Sequence, residues 1–152
     1  MPDKLNTSPR DGSALERFRD MGDGTFAMAV VALPAGYSQM VNATSGNVAN
    51  AVATATMAAV AGQTNYIGGF SITGAGATAA LVVLAALTGL SGGTINYVYV
   101  ASAGAMVGNP TMVVNFPSPI PASAVNTAVS LSLPALGIGN TNAVVTIYGF
   151  RL

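Results

Sequence analysis

Ten side chains in this protein carry a formal charge and could serve acid–base, metal-binding or anion-binding chemistry. Nine of them fall within the first 23 residues: Asp3, Lys4, Arg10, Asp11, Glu16, Arg17, Arg19, Asp20 and Asp23. The tenth is Arg151. From Gly24 to Phe150 the sequence contains no Asp, Glu, Lys, Arg or His, whereas about a quarter of an average soluble chain is charged. Ser, Thr and Tyr hydroxyls abound in that span, but a hydroxyl becomes a nucleophile only beside a base, and the span supplies none. The chain therefore reads as a structural or binding part rather than an enzyme, with no cofactor and no metal expected.

The local clusters lead to the same reading. Asp20-Met-Gly-Asp23-Gly24 has two carboxylates beside a glycine turn, as a calcium loop would, but no later acidic ligand follows, so a plain turn is expected. Gly74-Ala-Gly76-Ala77-Thr78 has the glycines of a phosphate loop without its lysine and also reads as a turn. Arg17, Phe18 and Arg19 join a possible stacking ring to two cations. With Glu16, Asp20 and Asp23 beside them they make a poor phosphate trap and a better protein-docking segment, in which Phe18 is the apolar anchor. Arg17, Phe18, Arg19, Asp20 and Asp23 are the expected partner-binding residues. Arg151, one residue from the last, is expected at an oligomer contact or at the junction with the N-terminal arm.

The formal net charge is zero, which gives no electrostatic pull toward nucleic acid or anionic membranes. The longest apolar run is nine residues, 79–87, short of the roughly 20 a membrane helix requires. The first residues lack the apolar centre of an export signal, and the absence of cysteine excludes a disulfide framework.

The elements that would hold these residues follow from composition. Residues 1–50 read as an N-terminal arm. A capping box at Ser13-Ala-Leu-Glu16 predicts a short helix over 13–20. An apolar stretch predicts a strand over 25–33, and residues 37–50 read as extended linker. Residues 51–152 alternate short β-compatible runs with Gly, Pro and Asn clusters, at 51–59, 65–73, 79–88, 94–102, 111–116, 127–133 and 143–151. Period-two alternation places Ile95, Tyr97 and Tyr99 on one face and Asn96, Val98 and Val100 on the other. It likewise sets Val129, Leu131 and Leu133 against Ser130 and Ser132. The Ala-rich stretch 77–90 suits helix or strand, and the glycines that bracket it favour strand. The predicted fold is all-β: a β-sandwich or jelly-roll-like domain of about seven or eight strands behind an extended N-terminal arm.

Four stretches add a resemblance: Arg17-Phe-Arg-Asp-Met-Gly-Asp-Gly-Thr25, Gly46-Asn-Val-Ala-Asn, Tyr66-Ile-Gly-Gly-Phe-Ser-Ile-Thr-Gly74 and the terminal Ile147-Tyr-Gly-Phe-Arg-Leu152. Together they resemble small virion proteins of tailed bacteriophages, of the capsid decoration (cement) type. The resemblance implies a virion structural protein, made in the host cytoplasm, that binds the major capsid protein or another virion protein. It implies a homo-oligomer, most simply a trimer, and no catalytic residues. The alternative is a fibre-tip or tail accessory domain that binds a host receptor. Against a glycan receptor, the chain has no Trp and five Tyr, few rings from which to build a sugar platform.

Overall fold

The computed structural model describes residues 17–20, 26–29 and 39–152, and it divides the chain into two compact units, Met1–Tyr37 and Ser38–Leu152. In the first unit, β1 (Arg17–Asp20) and β2 (Phe26–Ala29) form an antiparallel ladder that sets Phe18 opposite Met28 and Asp20 opposite Phe26. This corrects the helix expected over 13–20 at its C-terminal half. So short a helix is marginal in water, and pairing with a neighbouring apolar strand overrides a local capping signal. Residues 13–16 lie outside the described residues. The strand expected over 25–33 is present as Phe26–Ala29, and its remaining positions also lie outside them.

The second unit is a β-sandwich. Its strands are β3 (Gln39–Thr44), β4 (Ala53–Met57), β5 (Asn65–Ala77), β6 (Leu81–Thr88), β7 (Ile95–Ala101), β8 (Gly104–Gly108), β9 (Met112–Pro121), β10 (Val129–Leu133) and β11 (Asn142–Arg151). One sheet runs β4-β10-β6-β7. The other runs β3-β11-β5, with β8 and β9 both pairing along the far side of β5. Every pairing is antiparallel. No helix among the described residues is long and apolar enough to cross a membrane.

Several details differ from expectation. The sandwich begins at Ser38 rather than at 51, because Gln39–Thr44, read as linker, is an edge strand on β11 along six residue pairs. β8 was not anticipated. The Gly74–Thr78 stretch is not a turn up to Ala77, since β5 continues to that residue. The stretch 77–90 is a strand where it is regular, Leu81–Thr88.

Alternation builds the core. Ala53, Ala55 and Met57 point inward while Thr54 and Thr56 point out. Val129, Leu131 and Leu133 do the same against Ser130 and Ser132. The outward hydroxyls then pair across the strands, Thr56 with Ser130 at 2.8 Å and Thr54 with Ser132 at 3.3 Å. Between the sheets, Phe70 meets the edge of Tyr97 at 4.7 Å, in a core that also holds Ile67, Ile72, Leu87 and Ile147. A ring pair of this kind contributes about 1 kcal/mol beyond the area it buries.

One irregularity shapes the outer surface. The β5–β11 register shifts so that Tyr148 faces Gly69 while Gly149 faces Ile67, which leaves Gly68 as the extra residue of a bulge. The bulge brings the Tyr66 carbonyl oxygen against Gly149, where any Cβ would collide with it. Only glycine fits there.

Candidate functional site

The two outer faces of the sandwich differ in chemistry, and neither carries an acid, a base or a thiol. On the five-stranded sheet, register aligns two adjacent rows of side chains. The first runs Met40, Phe150, Tyr66 and Pro121, and the second Asn42, Tyr148, Gly69 and Asn115. In the first row Tyr66 and Phe150 stack, with centroids 5.1 Å apart and planes 3° from parallel. In the second, Tyr148 reaches across Gly69 to β9, where its hydroxyl donates to Asn115 Oδ1 and lies 3.4 Å from the Val114 carbonyl oxygen. A Cβ on Gly69 would come within 2.6 Å of the Tyr148 hydroxyl oxygen and 2.8 Å of the ring carbon that bears it. The absence of a side chain at 69 is what allows the ring to lie down on the sheet. Asn42 and Asn115 stand exposed at the two ends of this row.

The four-stranded sheet is divided lengthwise. Its β4–β10 half carries the bonded Thr and Ser hydroxyls. Its β6–β7 half is apolar, with Val82 opposite Val100 and Leu84 opposite Val98, at 65%, 52%, 53% and 56% exposure respectively. Among the described residues β7 is an edge strand. Exposed apolar patches of this kind commonly mark interaction sites.

Arg151 is committed within the sandwich. Its Nε donates to Asn65 Oδ1 at 2.9 Å and its Nη2 to the Ala58 carbonyl at 3.1 Å. Asn65, itself buried, donates through Nδ2 to the carbonyls of Met57, Ala58 and Thr127. The guanidinium and this amide thus tie β11 and β5 to the end of β4 and the start of β10. These are the bonds that Arg151, expected at an oligomer contact or at the junction with the arm, makes inside the sandwich.

Two core phenols are perturbed. Burial raises the pKa of Tyr97, and burial raises that of Tyr99 against a smaller lowering by the Asn109 side chain. The Tyr99 hydroxyl is buried and lacks a hydrogen bond of ordinary geometry, and the Asn109 Oδ1 already accepts from the Ser102 amide. Asn109 acts on the phenol by proximity more than as a full partner.

Of the expected partner-binding residues, Arg17, Phe18, Arg19 and Asp20 all fall on β1. Asp23 lies outside the described residues. Sequence reasoning missed the Tyr66, Tyr148 and Phe150 assembly, because counting aromatic residues says nothing of which strands bring them side by side. The Tyr-Gly-Phe triplet near the C-terminus and the Gly68-Gly69 pair were its only local signals. No protein-family model and no curated protein matches the chain.

Proposed function

We propose that the chain is a virion structural protein, a decoration or cement component that binds a bacteriophage head as a symmetric oligomer and stabilises it. The observation that carries this reading is the apolar β6–β7 face on a sandwich whose surface is otherwise neutral. Covering Val82, Leu84, Val98 and Val100 contributes about 1 kcal/mol per side chain for the surface still exposed. No buried ion has to be desolvated in return. A few kcal/mol does not by itself exceed the cost of association, so the contact persists only when it is repeated around a closed ring and over a lattice. A trimer in which each copy covers the next satisfies this requirement. The charged segment Arg17–Asp20, with Asp23, is the attachment to the capsid protein or another virion protein, and no enzymatic activity, nucleic acid or membrane enters the account.

Imaging of intact particles tests the reading directly. Copies arranged over the capsid lattice, and missing from particles made without this chain, are the expected result. Copies found only at the tail would favour the second reading, a fibre-tip or tail accessory domain that binds a host receptor. The aromatic face of the five-stranded sheet gives that alternative its support.

A further inference from the structure

We propose that the outer face of the five-stranded sheet is a binding site for neutral carbohydrate. In this site the Tyr148 ring is the floor, the Tyr66–Phe150 stack is one wall, and Asn42 and Asn115 are the polar ends. The inference is independent of the assembly face on the opposite sheet, and it holds for a decoration protein and a tip domain alike.

Four observations converge on this chemistry. First, a sugar ring offers polarised C–H bonds on one side, and these pack against the electron-rich face of an aromatic ring. Tyr148 supplies such a face because Gly69 lets the ring lie along the sheet. Second, the ring is pre-organised. Its hydroxyl is tethered to Asn115 on the neighbouring strand, so little freedom is lost on binding. Third, hydroxyls on adjacent sugar carbons need planar groups that both donate and accept. Asn42 and Asn115 are amides of this kind at the two ends of one row. Tyr148 occupies the Asn115 oxygen, which leaves that side chain's NH2 to donate outward. Fourth, the next row presents Thr44, Thr146, Ser71 and Val113, so hydroxyls border the ring on the side away from the stack.

Charge and polarity narrow the occupant. Among the described residues the two rows and their neighbours contain no cationic side chain, and Arg151, at the end of β11, donates to Asn65 Oδ1 and the Ala58 carbonyl. Sialylated and uronate glycans therefore find no counter-charge, whereas neutral pyranoses need none. An apolar protein segment would cover the Asn42 amide, the Asn115 NH2 and the Ser71 hydroxyl without giving them partners, which is costly, whereas Thr44 and Thr146 already bond to each other. The β6–β7 face, with its valines and leucine, has the opposite character and suits protein contact.

A sheet face encloses a ligand on one side only, so a single chain should bind an oligosaccharide with a Kd of about 1 mM, and several copies on one particle should bind far more tightly. The test is an NMR titration of the full-length protein. The neutral probes are maltohexaose, mannohexaose, xylohexaose and chitohexaose, and sialyllactose and oligogalacturonate are the charged comparison. The expected result is saturable shifts centred on Tyr148, Asn42 and Asn115 with at least one neutral probe. Asn42→Ala should weaken binding by about tenfold without changing the melting temperature. Tyr148→Phe should keep the ring but release its tether, weakening binding by about threefold. The proposal is overturned if no neutral probe shifts these signals at about 10 mM, if shifts centre elsewhere, if only the charged probes bind, or if both variants bind as the parent does. Self-association should be unchanged in both variants, so failure here leaves the assembly reading standing, and a monomeric protein leaves this one standing.

Discussion

The most constrained residues are glycines that leave room for another group. Gly149 admits the Tyr66 carbonyl oxygen that the β5 bulge pushes toward it, and Gly69 admits the Tyr148 ring. The two sites differ in what has to move. At 149 the obstacle is backbone in the middle of a ladder; at 69 it includes the Val114 carbonyl and a side chain that can swing away. Gly149→Ala is therefore predicted to destabilise the sandwich by about 3 kcal/mol, the upper range for overpacking. Gly69→Ala should cost less, about 1–2 kcal/mol, and should displace Tyr148 from Asn115. Urea unfolding of the two variants checks the ranking, and equal midpoints would show that the bulge is not the rigid feature. None of this could be read from the sequence, where Tyr148-Gly149-Phe150 looks like any strand end. The meaning of Gly149 depends on a register shift in a strand roughly eighty residues away. By contrast, Ile95, Tyr97 and Tyr99 were legible as inward positions because alternation is a property of the strand itself. That same alternation placed Val98 and Val100 outward, where their exposure is the unusual fact.

Among elements, the edges were hardest to read. β3 is a six-residue strand of Gln, Met, Val, Asn, Ala and Thr. Its composition is too mixed to announce itself, and β11 holds it in place. β8, Gly104–Gly108, is as short and has glycine at both ends. Central strands such as β10 and β11 have partners on both sides and carry the strong alternating signal. β9 runs on through Pro117, Pro119 and Pro121, beyond its expected end at 116. This is tolerated because, among the described residues, β9 pairs with β5 alone, so the missing amides need not serve a second strand. The placement of β3 fixes where a fragment must begin. A fragment of residues 38–152 should fold cooperatively, whereas one of 51–152 loses the β3–β11 ladder and uncovers β11. The shorter fragment is predicted to melt at least about 5 °C lower, equivalent to about 1 kcal/mol in a domain of this size. Thermal melts followed by circular dichroism decide this, and coincident melts would mean that β3 adds nothing to the sandwich.

At the scale of the whole molecule, a sandwich almost without charged side chains should respond weakly to pH and salt. Stability depends on pH only through groups whose pKa changes on folding. In the sandwich, Tyr97 and Tyr99 are the phenols held above their ordinary value near 10, in both cases by burial. A raised folded pKa means that the folded state keeps the proton longer than the unfolded state does. The contribution is fully present below the unfolded value and is lost as pH rises past it. The melting temperature of the 38–152 fragment should therefore stay nearly constant from about pH 4.5 to 9 and fall above about pH 10. A transition in the acid range would point to a titrating group outside this account.

Assembly of the neutral sandwich through its β6–β7 face, as proposed above, is open to direct experiment. Sedimentation velocity of the full-length protein at about 10 μM, beside the Val98→Lys variant, tests it most directly. Val98 is 56% exposed, so lysine there should leave the fold intact, with unchanged β-type circular dichroism, while placing an unpaired charge in the contact. The parent protein should sediment as a trimer and the variant as a folded monomer. A monomeric parent, or a variant that sediments as the parent does, would contradict that assembly.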